Sequence, residues 1–367
     1  MASTYKTFLN NDIVSTQTLL HEAIPLTGTI VSGTYNDENI KTYAHGMFEG
    51  VFDYPYLSSS ANHIFDLTVG YSSDSSLSSS THEQNAKKIN IYTEMAQILV
   101  GFDQTGSIRE FDQDGDLSVG TKIKEALFIN FSRLLMKDEI KKQSFSLTVY
   151  TGSVVGGSAV HPTGSLLIQD LDGLNAYKVN SPAGEYGLLY SGSADSTGPS
   201  AATSDIPAGL IYYQAGIIVL TASIFKGNDD GLLPSSIDDY FGLRPGAAKR
   251  TIDESLTGSS ITGSCDGLRN RLKNISFNNT TELNSTIYFC RANNNEFNYS
   301  ANQTYLSGAL GRSEIRVKNF KSDMPLSYVT TVGLYSANTE LLAVAKLSEP
   351  MKKDPNMELT LRVRIDT

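Results

Sequence analysis

Hydrophobic and polar residues alternate along several short stretches of this chain, and a period of two predicts β-strands. The clearest case is residues 358–366, where Leu359, Leu361, Val363 and Ile365 alternate with polar side chains. This pattern is typical of an antiparallel strand with one buried and one solvated face. The same analysis predicts further strands at residues 28–35, 63–71, 145–150, 165–171, 186–192, 209–216, 217–225, 285–292, 314–320, 327–336 and 341–348.

A different period runs through residues 83–142. Two stretches, 83–102 and 121–142, each place apolar side chains at i, i+4, i+7 and i+8, which predicts one apolar stripe on each of two helices. The stripes consist of Ile91, Met95, Ile98 and Leu99 in the first stretch and Leu127, Phe131, Leu134 and Leu135 in the second.

Together these patterns predict an α+β fold that is mostly β. We expect antiparallel sheets in a sandwich-like arrangement with a central two-helix segment. Residues 217–225 are apolar on both faces over their first half, which indicates a strand covered on both sides. The predicted parts are an N-terminal β or extended segment (1–80), a helical segment (81–145), a β domain (146–225), a turn-rich connector with one short helix (226–272) and a C-terminal antiparallel β domain (273–367).

Composition adds limits on partners and location. The net charge is −10, which disfavours binding to phosphate backbones, so we expect no nucleic-acid partner. The first twenty residues do not resemble a secretory signal, and no stretch has the ~18 apolar residues of a membrane span. We therefore expect no membrane partner, two reduced thiols at Cys265 and Cys290, and no glycosylation of the Asn-x-Ser/Thr sequons in residues 274–304.

The best metal candidate is the acidic stretch 111–125. If Asp114 is position 1 of an EF-hand loop, then Asp116, Ser118 and Glu125 fall at positions 3, 5 and 12. Position 6, where the sharp turn requires Gly, is instead Val119. The sequence therefore favours an acidic turn that caps the following helix, and no metal ligand is assigned.

Other catalytic patterns are also incomplete. None of the five histidines has another histidine three or four residues away, and the Ser- and His-containing loop 154–165 lacks the G-x-S-x-G elbow. A carboxylate pair for glycoside hydrolysis would have to come from Asp229, Asp230, Asp238 or Asp239, and the chain has no Trp to form a sugar platform. We assign no catalytic, cofactor-binding or metal-binding residue and expect that the chain is not an enzyme.

The C-terminal block carries a resemblance to a known class of protein. FNNTTELNSTIYFCRANNNEFNYSANQTYLSG (277–308), RVKN (316–319), the stretch 327–353 and ELTLRVRID (358–366) resemble virion structural proteins of contractile-tailed phages, in particular marine and cyanobacterial myoviruses. Residues 132–147 and 208–225 are similar to other segments of those proteins. The resemblance covers about two thirds of the chain.

The resemblance implies a structural subunit of the tail or baseplate, with a neck or capsid protein as the alternative. Such a subunit is made in the host bacterial cytoplasm, resides in the virion and contacts other virion proteins and further copies of itself. The N-terminal residues 1–25 and the polar insert 193–207 are candidates for arms that become ordered on assembly. A host-receptor or glycan-binding tail module is a further alternative, indicated by Tyr54, Tyr56, Tyr212 and Tyr213, and a lysozyme-like or depolymerase enzyme is the third class.

Removal of residues 358–367 should abolish soluble expression, because it deletes a strand with a core-facing apolar side. The measurement is the soluble fraction of the truncated chain beside that of the full chain. A truncated chain that is soluble and folded by circular dichroism would contradict the predicted strand.

Overall fold

The computed structural model describes residues 5–27, 39–79, 81–117, 120–150, 165–193, 207–226, 251–300, 305–307, 314–316, 318, 320 and 322–366. The chain divides into two compact units. The large unit comprises residues 20–281, and the terminal unit combines residues 1–19 with 282–367. The predicted fold class, α+β and mostly β with antiparallel sheets, is confirmed.

Strands dominate the described residues. The helices are α1 (Asn85–Leu99), α2 (Arg133–Met136), α3 (Ile252–Thr257) and α4 (Ile261–Arg271). The strands of the first half are β1 (Ile13–Thr27), β2 (Ile40–Thr42), β3 (Glu49–Phe52), β4 (His63–Tyr71), β5 (Phe111–Asp112), β6 (Lys122–Ile123), β7 (Glu125–Phe131), β8 (Glu139–Ile140), β9 (Ser146–Tyr150) and β10 (Ser165–Asp170). Those of the second half are β11 (Tyr186–Ser193), β12 (Pro207–Tyr212), β13 (Ile217–Thr221), β14 (Leu272–Ala292), β15 (Leu306–Ser307), β16 (Glu314–Ile315), β17 (Ser327–Tyr335), β18 (Leu341–Lys353) and β19 (Leu359–Asp366).

One extended sheet organises the large unit. Its strand order is β1-β14-β9-β10-β11-β12-β13-β7-β4-β3-β2, and every neighbouring pair from β14 to β2 is antiparallel. Strands β9 to β13 follow one another both in the chain and in the sheet, as is usual for antiparallel structure. Strands β1 and β14 are long enough to continue past the boundaries of the large unit, at residues 19–20 and 281–282.

The sheet curls strongly. Strands β7 and β14 are six places apart in its order, which in a flat sheet would separate them by about 29 Å. Instead, the rings of Phe131 on β7 and Phe277 on β14 lie 5.0 Å apart between centroids. The short strand β8, which follows β7 in the chain, pairs directly with β14 through Ile140 and Asn279. The sheet therefore folds back on itself and encloses an apolar core.

Aromatic side chains fill this core. Phe131 contacts Phe65 and Phe145 in addition to Phe277, and all four rings are almost completely buried. Strand β12 is buried at all six positions, and β13 is buried at four of five. The prediction that residues 217–225 form a strand covered on both sides is thus confirmed for β13.

Helix α1 covers the other face of the sheet at β4. A Cβ atom added to Gly70 of β4 would lie 2.7 Å from the carbonyl oxygen of Lys88 and 2.9 Å from the amide nitrogen of Tyr92. The helix can approach the strand this closely because Gly70 has no side chain. Tyr92 then packs edge-on against Phe111 of β5, at 5.3 Å between ring centroids.

Apart from the β1–β14 pairing, the described residues of the terminal unit contain three strand pairings, which are β14 with β19, β15 with β16, and β17 with β18. The second half of β14 pairs with β19, from Ser285 opposite Asp366 to Ala292 opposite Leu359. Strands β17 and β18 form a hairpin joined by residues 336–340, where the Ser336 amide donates to the Glu340 carbonyl oxygen at 2.9 Å. The N-terminal residues 5–12 contact the rest of this unit at four places, which are Tyr5 with Tyr335, Lys6 with Glu296, Phe8 with Tyr288 and Asp12 with Arg291.

The first predicted helix is confirmed by α1, but the second is wrong over most of its length. Residues 125–131 form strand β7, and only Arg133–Met136 are helical. Ala126, Leu127, Phe128 and Ile129 are all completely buried, so β7 is apolar on both faces. A continuous apolar run matches the helical period as well as it matches a buried strand.

Two other local predictions also need correction. The predicted strand 285–292 is only the end of a much longer strand, because the Asn-rich residues 277–284 before it also belong to β14. The buried side chain of Asn279 is compatible with a strand because its amide donates a hydrogen bond to the Leu135 carbonyl oxygen at 2.8 Å.

The described part of the connector contains two helices, α3 and α4, where one was expected. The predicted strand 314–320 is reduced to Glu314–Ile315, and the predicted strand 28–35 and most of the insert 193–207 lie outside the described residues.

Lys88 generates a pH-dependent prediction for this fold. Its buried ammonium group donates to the carbonyl oxygens of Glu83 at 3.0 Å and Gly258 at 2.7 Å. Burial lowers the pKa of Lys88 to about 8, below its ordinary value. Above that pH the unfolded chain still holds a proton that the folded chain has lost. The contribution of Lys88 to the free energy of unfolding should therefore rise with pH, up to the ordinary lysine pKa of about 10.4.

The measurement is urea unfolding of the parent chain and of Lys88→Met between about pH 8 and pH 10. We expect the parent to gain stability relative to the variant by up to about 1 kcal/mol per pH unit. The exposed neighbour offers a control, since Lys87→Met should leave this pH dependence unchanged. Equal pH dependence of the parent and Lys88→Met would contradict the lowered pKa.

Candidate functional site

Three carboxylates converge at the β5–β6 hairpin. One oxygen from each of Asp112, Asp114 and Asp116 lies within 4.8 Å of the other two, and among the described residues these three could hold a metal ion. The turn between them uses Gly115 and Leu117, both with positive φ. The Asp114 carboxylate accepts a hydrogen bond from the Asp116 amide at 3.2 Å, and the Asp112 carboxylate accepts one from the Leu117 amide at 2.6 Å.

A lysine already supplies positive charge to this cluster. The ammonium of Lys122 lies 3.0 Å from Asp112 Oδ1, directly across the hairpin register. The Asp112 side chain is completely buried, and this burial raises the pKa of its carboxyl group above the ordinary value. A charge so placed requires a close partner of opposite sign. Because Lys122 fills that role, the geometry favours an internal ion pair that ties β5 to β6.

The predicted ligand set does not assemble here. Glu125 accepts a hydrogen bond from the Ser75 hydroxyl and is absent from the acidic group, while Ser118 and Val119 lie outside the described residues. The acidic turn precedes the strands β6 and β7, so the expectation that it caps a helix is wrong. Sequence reasoning placed the loop at Asp114 and missed Asp112, whose position directly opposite Lys122 would have indicated a cross-strand ion pair.

The remaining chemical candidates are dispersed. His63 contacts Asp66 at 2.8 Å and His21 contacts Thr280 at 3.2 Å, in separate parts of the sheet. Cys265 is completely buried and its pKa is raised by that burial, which makes it a poor nucleophile. His161 and the four aspartates considered for glycoside hydrolysis lie outside the described residues.

The four tyrosines indicated by the sequence separate into two kinds. Tyr54 and Tyr56 are exposed, whereas Tyr212 and Tyr213 are buried in the core. The Tyr213 hydroxyl donates to Asp170 Oδ2 at 2.8 Å. Burial raises the pKa of both groups, so the pair stays protonated at the tyrosine and serves as an internal hydrogen bond.

The terminal unit presents the most unusual surface. Five large apolar side chains of the β17–β18 hairpin have exposed fractions between 44% and 69%, where a folded monomer normally buries such strand residues. We call this set the open hairpin face, a name for the exposed apolar positions of both strands whichever side of the hairpin they point to, and it comprises Tyr328, Tyr335, Leu341, Leu342 and Val344.

The edges of the hairpin differ in their protection. Strand β18 carries Lys346, Glu349, Pro350 and Lys352, residue types that discourage edge pairing. Strand β17 has no charge and no proline from Ser327 to Tyr335, and among the described residues it pairs only with β18. An uncharged strand of this length with an open edge is suited to pairing with another strand.

Comparisons with known proteins add no relative. No family model, curated protein or solved structure matches the chain. In the part of the chain that the structure describes, none of the helices has the length and apolar character needed to cross a bilayer. The function is therefore argued from the surface of the terminal unit.

The acidic cluster yields a prediction that separates an ion pair from a metal site. Asp112→Asn should lower the free energy of unfolding by about 2–4 kcal/mol, because Lys122 loses its buried partner. The exposed Asp114→Asn should change the free energy of unfolding by less than about 1 kcal/mol. Urea unfolding with and without calcium measures both effects. Stabilisation of the parent by calcium that disappears in either variant would instead show a metal site.

Proposed function

We propose that this chain is a structural subunit of a phage virion, assembling in multiple copies through contacts between its terminal units. The observation that carries this proposal is the open hairpin face. A two-stranded hairpin is at best marginally stable alone in water, and three or more strands or a packed partner are needed. The β17–β18 hairpin pairs with no third strand among the described residues, so a neighbouring subunit is the natural completion.

The contrast between the two units supports an assembly role. The large unit has a densely packed apolar core enclosed by its own sheet. In the terminal unit, by contrast, β17 and β18 have only three buried side chains, at Ser327, Leu334 and Lys353. A chain with one densely packed unit and one unit whose strands are largely exposed is what we expect of a subunit that assembles with copies of itself.

The position within the virion follows from the sequence resemblance. Contractile-tailed phage proteins with similar segments favour a tail or baseplate subunit, and a neck or capsid subunit is the alternative. Closed rotational symmetry would let every subunit use the same contact surface. The proposal assigns no catalytic residue.

A glycan- or receptor-binding module is the second candidate, and one observation favours it. Tyr54, Tyr56 and Leu57 lie together in the turn between β3 and β4 and are exposed, Leu57 to 85%. Exposed aromatic rings can stack on sugars. A glycan array with the parent and a Tyr54→Ala/Tyr56→Ala double variant tests this candidate, which requires binding by the parent and its loss in the variant.

Peptide mass spectrometry of virions separated into heads and tails tests the proposed position. We expect this chain in the tail fraction, with an abundance relative to the sheath that gives its copy number. Its presence with the heads would move it to a capsid or neck role. Its absence from both fractions would overturn the structural proposal.

The open hairpin face predicts the effect of a single charge. Val344→Lys places an ammonium at a position that is 52% exposed in the subunit and buried in the proposed assembly. Association should weaken at least about tenfold, which corresponds to about 1.4 kcal/mol, while the subunit stays folded. Sedimentation velocity measures association. The control is Leu57→Lys, at an apolar position in the large unit that is exposed to 85%, and equal association of the two variants would contradict the proposed contact.

A further inference from the structure

Strand β1 is held in an unusual way. It has fifteen residues and lies at the edge of the sheet beside β14. Every side chain from Ile13 to Ala23 is exposed, including Val14, Leu19 and Leu20, whose exposed fractions are 41%, 49% and 51%. Hydrophobic burial normally supplies most of the energy that retains a strand, and over these residues it contributes little.

From Ile13 to Ala23, β1 is retained mainly by polar contacts with β14, whereas near its end Leu26 is buried in the core of the large unit and Ile24 packs against that core. The Glu22 amide donates to Asn279 Oδ1 at 3.1 Å, His21 Nδ1 lies 3.2 Å from Thr280 Oγ1, and the Thr16 hydroxyl reaches the Ser285 carbonyl oxygen at 3.5 Å. All three partners are on β14. Because each copy of the chain has the same β14, a neighbouring copy offers β1 the same hydrogen bonds.

The connection of β1 to the rest of the chain permits such a move. β1 ends at Thr27, β2 begins at Ile40, and residues 28–38 are the part of this connection outside the described structure. An extended segment of that length spans at most about 36–40 Å. Exchange therefore requires that the β14 of the adjacent subunit lie within this span.

The charges on both strands also permit exchange. From Ile13 to Thr27 the formally charged residue is Glu22, and from Phe277 to Phe289 of β14 it is Glu282. Pairing between copies therefore brings no cluster of like charges together. Beyond the strand, Asp12 and Arg291 form an ion pair at 2.7 Å, which adds an oppositely charged contact in either arrangement.

We propose that β1 is exchanged between neighbouring copies of this chain, so that β1 of one subunit pairs with β14 of the next. This inference rests on the proposed function, since it requires that the chain assembles with itself. Exchange preserves the β1–β14 contacts and makes each subunit part of its neighbour's sheet. It also places Leu19 and Leu20 at a subunit boundary, where a neighbour can cover them.

Mixed cross-linking of single-cysteine variants tests the exchange. Cys290→Ser removes the less buried native thiol, and Cys265 is completely buried. One preparation then carries His21→Cys and the other Thr280→Cys. After mixing, unfolding, refolding together and oxidation, a covalent dimer containing both chains should form in high yield when β1 of one copy lies on β14 of another. A short bismaleimide reagent repeats the test without the geometric demands of a disulfide.

Two controls define the result. Gln17→Cys mixed with Thr280→Cys should give no dimer, because residue 17 lies four residues, about 13 Å, along the strand from residue 21. A chain carrying both His21→Cys and Thr280→Cys shows that the two positions can be linked. We expect the mixed dimer at high yield in the assembled fraction and none with Gln17→Cys.

The failures of the two proposals are distinguishable. If the chain assembles and the doubly substituted chain links only within itself, while the mixture gives no dimer, exchange is excluded and the assembly proposal stands. If the chain sediments as a monomer at every concentration, self-assembly fails and exchange fails with it.

A charge exchange gives an independent readout without cross-linking. Asp12→Arg and Arg291→Asp each break the ion pair and should each weaken assembly. If β1 is exchanged, mixing the two single variants restores an oppositely charged pair wherever the two chains alternate. Residue 12 of each variant then faces residue 291 of the other variant, which carries the opposite charge. Recovery only when both substitutions are in one chain would show that β1 remains on its own subunit.

Discussion

The continuity of β14 is the constraint on which both units depend. This one strand supplies Phe277 to the aromatic core of the large unit and the residues from Ser285 to Ala292 that pair with β19 in the terminal unit. At Asn279 it also receives β8, which closes the curled sheet. A break in β14 would leave the core open at the Phe131–Phe277 contact, where truncation of one buried ring typically costs about 3–5 kcal/mol.

The polar composition of β14 follows from these several roles. A strand buried on both faces, such as β12, is apolar throughout, whereas β14 has different neighbours along its length. Where side chains of β14 contact polar backbone groups, Asn and Thr can satisfy them, as Asn279 does for the Leu135 carbonyl oxygen. The same residue types also provide the side-chain acceptors for β1. The Asn-rich stretch is therefore a strand with several partners, and its composition needs no glycan to explain it.

Much of the fold could be predicted from local pattern. Strand β4 occupies the predicted residues 63–71, and β17 and β19 agree with their predicted ranges within one residue. Period-two alternation identifies half-buried strands because only one face contacts the core. The pattern is uninformative for β7, whose burial on both faces depends on α1 and on strands distant in sequence. Helix α4, likewise, has a weak apolar stripe in its sequence, ITGSCDGLRNR, because three of its buried residues are Ser264, Arg269 and Arg271.

The candidate sites were less predictable than the fold, because each depends on pairing between strands. The acidic loop could be found from its carboxylates, yet its chemistry is decided by Lys122, which becomes the partner of Asp112 only through the β5–β6 register. The open hairpin face presents the same difficulty, because its alternation predicts a buried face and the sequence alone does not say which chain provides the cover.

Within the described residues of this subunit, that cover is incomplete at β17, at β18 and along β1. Apolar side chains are exposed in β1 and in the β17–β18 hairpin, whereas the core of the large unit is densely packed. Among the described residues these apolar side chains stay exposed, and they are the ones that the proposed assembly would cover. Lys and Pro protect the edge of β18, whereas β17 is left without such residues. This asymmetry favours assembly through selected edges over unspecific aggregation, and it is the property that a repeated structural subunit requires.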